Sequence, residues 1–298
     1  MSSDLLSPLQ LQIIQLCDDH EKRERPKYYY SRNITFEKYF IKYDSQRIMY
    51  AEYTMQQYIS NLAEGDTSAP RVPKIYDYFT SDNMMGYLVM EYIQASATLA
   101  KDVPEKVANA LQWLRGLPAP PDTTIGSVAG RDAPFMLFKG FGAPIAFSSI
   151  EAIERYMNKV RLCLSPFPNH SPPANHDFYQ ALNFSPKGFR PEDISFSNEK
   201  LVFTQTDMHE DNFFLDTEGK LCLIDFESVA LLPESFGNCA LASSDPFVKK
   251  VADCLNWSTH NLKSMGTAMG LLTMIGDETL GTFICARYKI LPTICDRS

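Results

Sequence analysis

Alternating apolar and polar residues predict several strands in the first third of the chain. Residues 34–43 have the period of two that a half-buried strand requires. One face of that strand would carry Ile34, Phe36, Phe40 and Lys42. Two more strands are predicted within residues 70–93, joined by a turn at 81–86. The N-terminal part is therefore expected to be mainly a β-sheet.

Between these strands, residues 45–63 carry apolar side chains at helical spacing. The predicted apolar stripe consists of Ile48, Met55, Ile59 and Leu62. Glu52 lies on the same stripe, so its carboxylate is expected to face inward. An unpaired buried charge is very costly, and we therefore expect Lys42 and Glu52 to form an ion pair. From periodicity alone, two solvated surface charges are an equal alternative.

The C-terminal two-thirds of the chain is mostly helical by pattern. Apolar residues at helical spacing predict helices over residues 106–117 and 149–164. Residues 165–198 hold six prolines, which predicts a long irregular insertion. Such a segment is either a flexible loop or a lid over a substrate.

The most informative segment is 201–228, which predicts a strand, a polar loop and then a two-stranded hairpin with a tight turn at 216–219. Asp207 begins the polar loop, Asn212 ends it, and Asp225 follows the last strand. Oxygen ligands that leave one small ribbon at its strand ends can converge on one point. The segment therefore predicts a site where a hard divalent cation is held beside a general base.

Composition and charge limit the function further. The 298 residues are enough for one large domain or two lobes, and the net charge of −8 argues against a nucleic-acid partner. The seven cysteines are scattered without a Cys-x-x-Cys pair, which indicates reduced thiols. No apolar run approaches the roughly 18 residues of a membrane span. We expect a cytoplasmic protein that contacts no membrane and binds a small molecule, while its oligomeric state is left open.

The spacing of the polar loop resembles that of phosphotransferases. An Asp followed five positions later by Asn, and then by a second Asp after a hairpin, matches the catalytic-loop pattern of protein kinases. The segments that carry the match are Phe203–His209, Asn212 and Ile224–Glu227. They resemble the aminoglycoside phosphotransferase-like branch of the kinase fold, in particular its fungal group. This resemblance implies an α+β, two-lobed protein-kinase-like fold with a small, mainly β N-lobe containing one key helix and a larger, mainly helical C-lobe.

The resemblance also implies a division of roles between the lobes. Residues 1–92 would cover the nucleotide, and residues 93–298 would carry catalysis and substrate binding. Asp207 would be the catalytic base. The cofactors would be ATP and Mg²⁺. The residues implied in magnesium binding are Asn212 and Asp225, and those implied in nucleotide binding are Lys42, Glu52, Met90, Glu91 and Tyr92.

The connector Met90-Glu91-Tyr92 would act through its backbone groups, which could pair with the edge of adenine. Lys42, oriented by Glu52, would contact the α- and β-phosphates.

Three features of the chain depart from the family pattern. No glycine-rich loop precedes Lys42, because residues 25–33 contain no glycine. Phe40 stands where protein kinases place a small residue over adenine. Gln205 and Thr206 replace a His-Gly pair before Asp207, and the histidine normally braces the catalytic loop.

Three functions are consistent with these residues. The first is an ATP- and Mg²⁺-dependent phosphotransferase acting on a hydroxyl of a small molecule, with amine-bearing and secondary metabolites among the candidates. The second is a ligand-binding pseudokinase, favoured by the missing glycines and by Phe40. The third is an enzyme that keeps the fold for other metal-assisted chemistry, such as ionisation or cyclisation of a diphosphate.

Overall fold

A four-stranded antiparallel sheet forms the core of the N-terminal lobe. Its strands are β1 (Asn33–Phe36), β2 (Tyr39–Ser45), β3 (Ile75–Thr80) and β4 (Met85–Glu91), in the spatial order β1-β2-β4-β3. The computed structural model describes residues 6–27, 30–97, 102–121, 125–129, 147–162 and 192–274. The two strands predicted within residues 70–93 are confirmed as β3 and β4.

The single strand predicted over residues 34–43 is wrong. A tight turn at Glu37-Lys38 divides it into β1 and β2, and Glu37 has a positive φ of 53°. The two-residue turn reverses the chain. Even-numbered residues of β1 therefore face the opposite side of the sheet from even-numbered residues of β2. Ile34 lies opposite Ile41, whereas Phe40 lies opposite Thr35. The sequence hides this turn because it contains neither of the residues, Gly or Asn, that usually mark such hairpins.

A helix that the sequence analysis did not identify covers one face of the sheet. This helix, α1 (Pro8–Glu24), begins with a capping box in which Ser7 and Gln10 bond each other's backbone N–H groups. Its buried residues Ile13 and Cys17 pack on the sheet. The sheet residues in this cluster are Ile41, Tyr43, Phe79, Tyr87 and Val89. Among the described residues, the N-terminal lobe therefore has a second helix in addition to the predicted one.

The predicted helix over residues 45–63 is confirmed as α2 (Gln46–Ala63), and it packs against the sheet face opposite α1. Met49 contacts this face beside Leu88 and Met90. The next turns of the helix reach the other lobe, since Met55 and Ile59 belong to the largest buried cluster of the C-terminal part. Because α2 packs on both lobes, it fixes the position of Glu52 relative to each of them.

In the part of the chain that the structure describes, the C-terminal lobe combines helices with two small antiparallel ribbons. The helices are α3 (Val103–Arg115), α4 (Ile150–Leu162), α5 (Glu234–Ala240), α6 (Pro246–Cys254) and α7 (Leu262–Met274). The ribbons are β5 (Leu201–Gln205) with β8 (Val229–Pro233), and β6 (Phe213–Leu215) with β7 (Leu221–Leu223).

The helices predicted over residues 106–117 and 149–164 are confirmed by α3 and α4, although 163–164 lie outside the described residues. The β6–β7 hairpin and its turn are also as predicted. Most of the predicted insertion, residues 165–191, lies outside the described part, so the expectation of a loop or lid there stays a prediction. None of the helices in the described ranges combines the length and apolar character that a membrane span requires.

Candidate active site

Lys42 joins the two lobes through ion pairs. Its Nζ donates to Glu52 Oε1 at 2.6 Å and to Asp225 Oδ1 at 2.5 Å. Lys42 lies in the middle of β2, Glu52 on α2, and Asp225 just after β7 in the C-terminal lobe. The expected pairing of Lys42 with Glu52 is present, and all three side chains are largely buried.

The pair lies in an excess of negative charge. Burial alone would lower the pKa of Lys42, but the nearby Glu52 and Asp225 carboxylates raise it, so the ammonium stays charged. A third carboxylate, Glu227, lies close by; burial, followed by repulsion from Glu52, raises its pKa to about 7. One cation thus faces three acidic side chains, and Glu52 Oε2 has no hydrogen-bond partner within the described residues.

Asp225 is held in an unusual backbone conformation. It has φ 64° and ψ 61°, the left-handed region that Asp tolerates better than most residues. The Ser228 hydroxyl donates to Asp225 Oδ2 at 3.2 Å, and the Ser228 N–H donates to the Asp225 carbonyl at 3.2 Å. These bonds turn the chain sharply after β7 and point the carboxylate at Lys42.

Asp207 and Asn212 are bonded to each other at the two ends of the polar loop. Asn212 Nδ2 donates to the Asp207 carbonyl at 2.9 Å and to Asp207 Oδ2 at 3.1 Å. Asn212 also accepts the Ile224 N–H on its own carbonyl at 3.2 Å, next to Asp225. The loop and the end of the hairpin are thereby connected through the backbone.

A buried glutamine, Gln205, braces both loops. Its Oε1 accepts the Asp207 N–H at 3.2 Å, and its Nε2 lies 3.4 Å from the Asp225 carbonyl and 3.5 Å from that of Ile224. Thr206 adds a further connection, because both its N–H and its hydroxyl donate to the Ser228 carbonyl at 2.9 Å. Sequence reasoning regarded the replacement of histidine as the loss of a brace. That interpretation is wrong, since an amide carries both a donor and an acceptor and fills the position.

The lobe connector is engaged within the protein. The Glu91 N–H donates to the Lys74 carbonyl at 2.8 Å, and the Tyr92 N–H donates to the Lys38 carbonyl at 3.0 Å. Met90 pairs in the sheet with residues on both neighbouring strands. The backbone N–H groups of Glu91 and Tyr92 are therefore not free to bind a base, and only the remaining backbone groups of the connector are available.

An arginine ties this connector to the hairpin of the other lobe. Arg71 Nη2 donates to Glu91 Oε1 at 2.7 Å, and Nη1 donates to Asp216 Oδ2 at 2.5 Å. The backbone of Arg71 also bonds to β7, because its N–H donates to the Leu221 carbonyl and its carbonyl accepts the Leu223 N–H. The hairpin that has Asn212 and Asp225 at its two ends is thus fixed to the exit of β4.

An open cavity of about 270 Å³ lies beside Asp207 on the side of the C-terminal lobe. It is lined by Asp207, Met208, His209, Glu210, Ala240, Ser243, Asp245 and Val248. Three of these side chains are carboxylates, and none of the described residues that line the cavity is a lysine or an arginine. This cavity is large enough for a small polar molecule and is electrostatically suited to a cationic one.

The predicted magnesium ligands offer the oxygen chemistry that Mg²⁺ prefers. Asn212 uses its amide nitrogen on Asp207, which leaves Oδ1 without a hydrogen bond among the described residues. Asp225 shares one oxygen with Lys42. No group of three or more His, Cys, Asp or Glu side chains suited to a metal occurs in the described ranges. A pair of one amide and one carboxylate fits magnesium, which keeps several waters and takes phosphate oxygens as further ligands.

Gln205 joins the loops that carry Asp207 and Asp225, and Asp225 faces Lys42 of the antiparallel sheet. Together with the sheet and the helical C-terminal part, this arrangement is a protein-kinase-like fold of the α+β class. Among solved structures, the chain is similar to aminoglycoside phosphotransferases. For the GDP complex of wild-type aminoglycoside 2'-phosphotransferase-IIIa, identity is 11% and the TM-score 0.48, covering 92% of this chain and 93% of that one.

Two further solved structures are similar over most of their length. A thermostable mutant aminoglycoside phosphotransferase in a ternary complex with AMP-PNP and hygromycin B has 11% identity and a TM-score of 0.48, with 90% of this chain and 92% of that chain covered. Aminoglycoside-3'-phosphotransferase of type VIII has 16% identity and a TM-score of 0.42, with 86% of this chain and 98% of that chain covered. No family model matches the sequence, and no curated protein matches it. The resemblance to the fungal group stays a prediction.

Proposed function

We propose that the protein is an ATP- and Mg²⁺-dependent phosphotransferase that acts on a hydroxyl group of a small molecule. The observation that carries the proposal is the joint positioning of Lys42, Asp207 and Asp225. Lys42 is bonded to Asp225 across the lobes, and Gln205 is bonded to the backbones of both aspartates. Phosphoryl transfer demands positioning and charge neutralisation above all, and this arrangement provides both.

Each side chain has one role in this proposal. Lys42, oriented by Glu52, neutralises charge on the α- and β-phosphates of the nucleotide. Asp207 accepts the proton of the acceptor hydroxyl as that oxygen attacks the terminal phosphorus, and the bond from this phosphorus to the bridging oxygen breaks to release ADP. Asn212 and Asp225 hold Mg²⁺, which when bound would neutralise charge on the phosphate oxygens. The hydrogen bond from Asn212 Nδ2 holds the Asp207 carboxylate in one orientation.

The acceptor is proposed to bind in the cavity beside Asp207. Asp207 belongs to its lining, so a hydroxyl bound there lies within reach of the proposed base. Glu210 and Asp245 add negative charge to the same cavity. A small molecule that carries an amine as well as a hydroxyl matches this combination, because carboxylates attract an ammonium group.

A second candidate is a pseudokinase that binds a ligand without transferring phosphate. Two observations favour it: Asp225 is already paired with Lys42, and the N–H groups of Glu91 and Tyr92 are already bonded. Titration calorimetry with MgATP separates the candidates in part. Absence of binding at millimolar nucleotide would remove the phosphotransferase proposal. Binding without turnover against a panel of hydroxylated amines would favour the pseudokinase.

The Asp207→Asn variant tests the proposed base. Loss of the proton acceptor should reduce phosphate transfer by roughly 100-fold or more. MgATP affinity should stay within about threefold of the wild type, since Asp207 is assigned no nucleotide contact. The matched control is Asp211→Asn in the same loop, whose side chain is 84% exposed. Wild-type transfer rates in Asp207→Asn would exclude Asp207 as the base.

A further inference from the structure

We infer that the side-chain amide of Asn33 binds the phosphates of the nucleotide from the edge of the N-terminal sheet. This inference rests on the proposed function and assigns a residue to a contact that glycine backbone cannot make here. Residues 25–33 contain no glycine, so the chain before β2 cannot bring its backbone close to a phosphate by that means. A side chain must supply the contact instead.

The register of the sheet places Asn33 beside Lys42. In the antiparallel pair β1–β2, Asn33 lies directly opposite Lys42. The Tyr43 N–H donates to the Arg32 carbonyl at 3.0 Å, which makes Arg32 and Tyr43 a hydrogen-bonded pair. The adjacent pair, Asn33 and Lys42, is therefore of the non-hydrogen-bonded kind, in which the Cα atoms are about 4.5 Å apart and the side chains are closest.

Asn33 also lies on the same face of the sheet as Lys42. Residues directly opposite each other in such a pair project to the same side, and on that side Lys42 reaches Asp225 in the C-terminal lobe. The neighbouring Arg32 is not a substitute, because its guanidinium is held by Glu21 and Asp44. Among the described residues, Asn33 is thus the polar side chain of β1 that lies next to Lys42.

The chemistry of an amide suits this position. Asn33 is partly buried, and within the described residues its side chain makes no hydrogen bond, so both N–H groups are available as donors. Lys42 is already surrounded by the three carboxylates of Glu52, Asp225 and Glu227. A second cation at this position would compete with Lys42 for Glu52 and Asp225. A neutral amide can donate to phosphate without this competition.

The test compares nucleotides with and without phosphate. Calorimetric affinities for MgATP, MgADP and adenosine are measured for the wild type, Asn33→Ala, Asn33→Asp and Asn61→Ala, the last being an exposed asparagine on α2. Loss of a hydrogen bond to a charged phosphate should weaken MgADP binding by about tenfold in Asn33→Ala. Asn33→Asp should weaken it more, because its carboxylate repels phosphate. Adenosine affinity should be unchanged in both variants, and Asn61→Ala should equal the wild type for every ligand.

Three results would overturn the inference, and they are distinguishable. Equal MgADP affinity in the wild type and Asn33→Ala, or an equal loss of adenosine affinity, removes Asn33 as a phosphate contact and leaves the proposed function intact. Absence of nucleotide binding by the wild type removes the proposed function as well. Far-ultraviolet circular dichroism of each variant, compared with the wild type, establishes that a loss of binding is not a loss of fold.

Discussion

Lys42 and Asp225 are 183 residues apart in the sequence, yet Lys42 Nζ lies 2.5 Å from Asp225 Oδ1. The first residue belongs to the sheet of the N-terminal lobe, and the second follows a hairpin of the C-terminal lobe. Glu52 on α2 accepts from the same ammonium group. The relative position of the two lobes at the proposed site is therefore set by one buried cation and its two carboxylates.

Replacing only Lys42 should destabilise the protein. In Lys42→Met, Glu52 stays buried without its counter-ion, which should lower the free energy of unfolding by about 3 kcal/mol. The double variant Lys42→Met/Glu52→Leu should recover part of that loss, because the fully buried Glu52 carboxylate is no longer left without its counter-ion. Urea denaturation measures both. Lys22→Ala, which removes an exposed pair with Asp19, is the control and should change stability by less than about 0.5 kcal/mol. An equally low stability of the single and double variants would contradict this account.

Gln205 should affect turnover more than nucleotide binding. Its side chain bonds the backbone of both loops, so Gln205→Ala should displace Asp207 relative to Asp225 and reduce kcat by roughly 100-fold. The KM for ATP should change by less than about threefold, because Gln205 is assigned no nucleotide contact. Gln205→His, which can also donate and accept, should restore part of kcat. Gln57→Ala, which alters a partly exposed glutamine on α2, is the control. A rise in the KM for ATP without a loss of kcat in Gln205→Ala would rule out a positioning role.

The parts of the fold that depend on local periodicity could be predicted from the sequence, and so could the spacing of the polar loop. Glu52 was found because a carboxylate interrupts an apolar helical stripe. The reversal at Glu37 was missed because the alternation continues through a two-residue turn. Glu227 and Gln205 carry no pattern of their own; their roles arise from burial beside Lys42 and from contacts across the loops. The capping box at Ser7 was a readable signal for α1.

Arg71 and Asp216 should make the stability of the protein sensitive to acid. Burial would raise the pKa of Asp216, but bonds from Arg71 and from the Lys220 and Glu218 N–H groups lower it below the ordinary 3.8. A carboxylate with a lowered pKa adds stability that is present above pH 3.8 and is lost as pH falls through the lowered value. The wild type should therefore lose stability steeply below about pH 4.

Arg71→Ala should weaken this acid dependence, because it removes the partner that lowers the pKa of Asp216. The variant should also lower the free energy of unfolding by about 2 kcal/mol at neutral pH. This loss is smaller than for a fully buried ion pair, because the guanidinium is 31% exposed. The measurement is thermal unfolding from pH 3 to pH 7. The control is Arg23→Ala, whose side chain is exposed on α1. An unchanged acid profile in Arg71→Ala would show that Asp216 is not the titrating group.

Substitutions on the α1 side of the N-terminal sheet should change stability without changing nucleotide binding, because Lys42 lies on the other face. Ile13 is 1% exposed and packs with Cys17 against the face of the sheet opposite Lys42, whereas Leu11 on the same helix is 54% exposed. Ile13→Ala should lower the free energy of unfolding by about 3 kcal/mol, and Leu11→Ala by less than about 0.5 kcal/mol. MgATP affinity of the folded protein, measured at a temperature where both variants are native, should equal that of the wild type. A tenfold loss of affinity in Ile13→Ala alone would mean that α1 shapes the nucleotide site through the sheet.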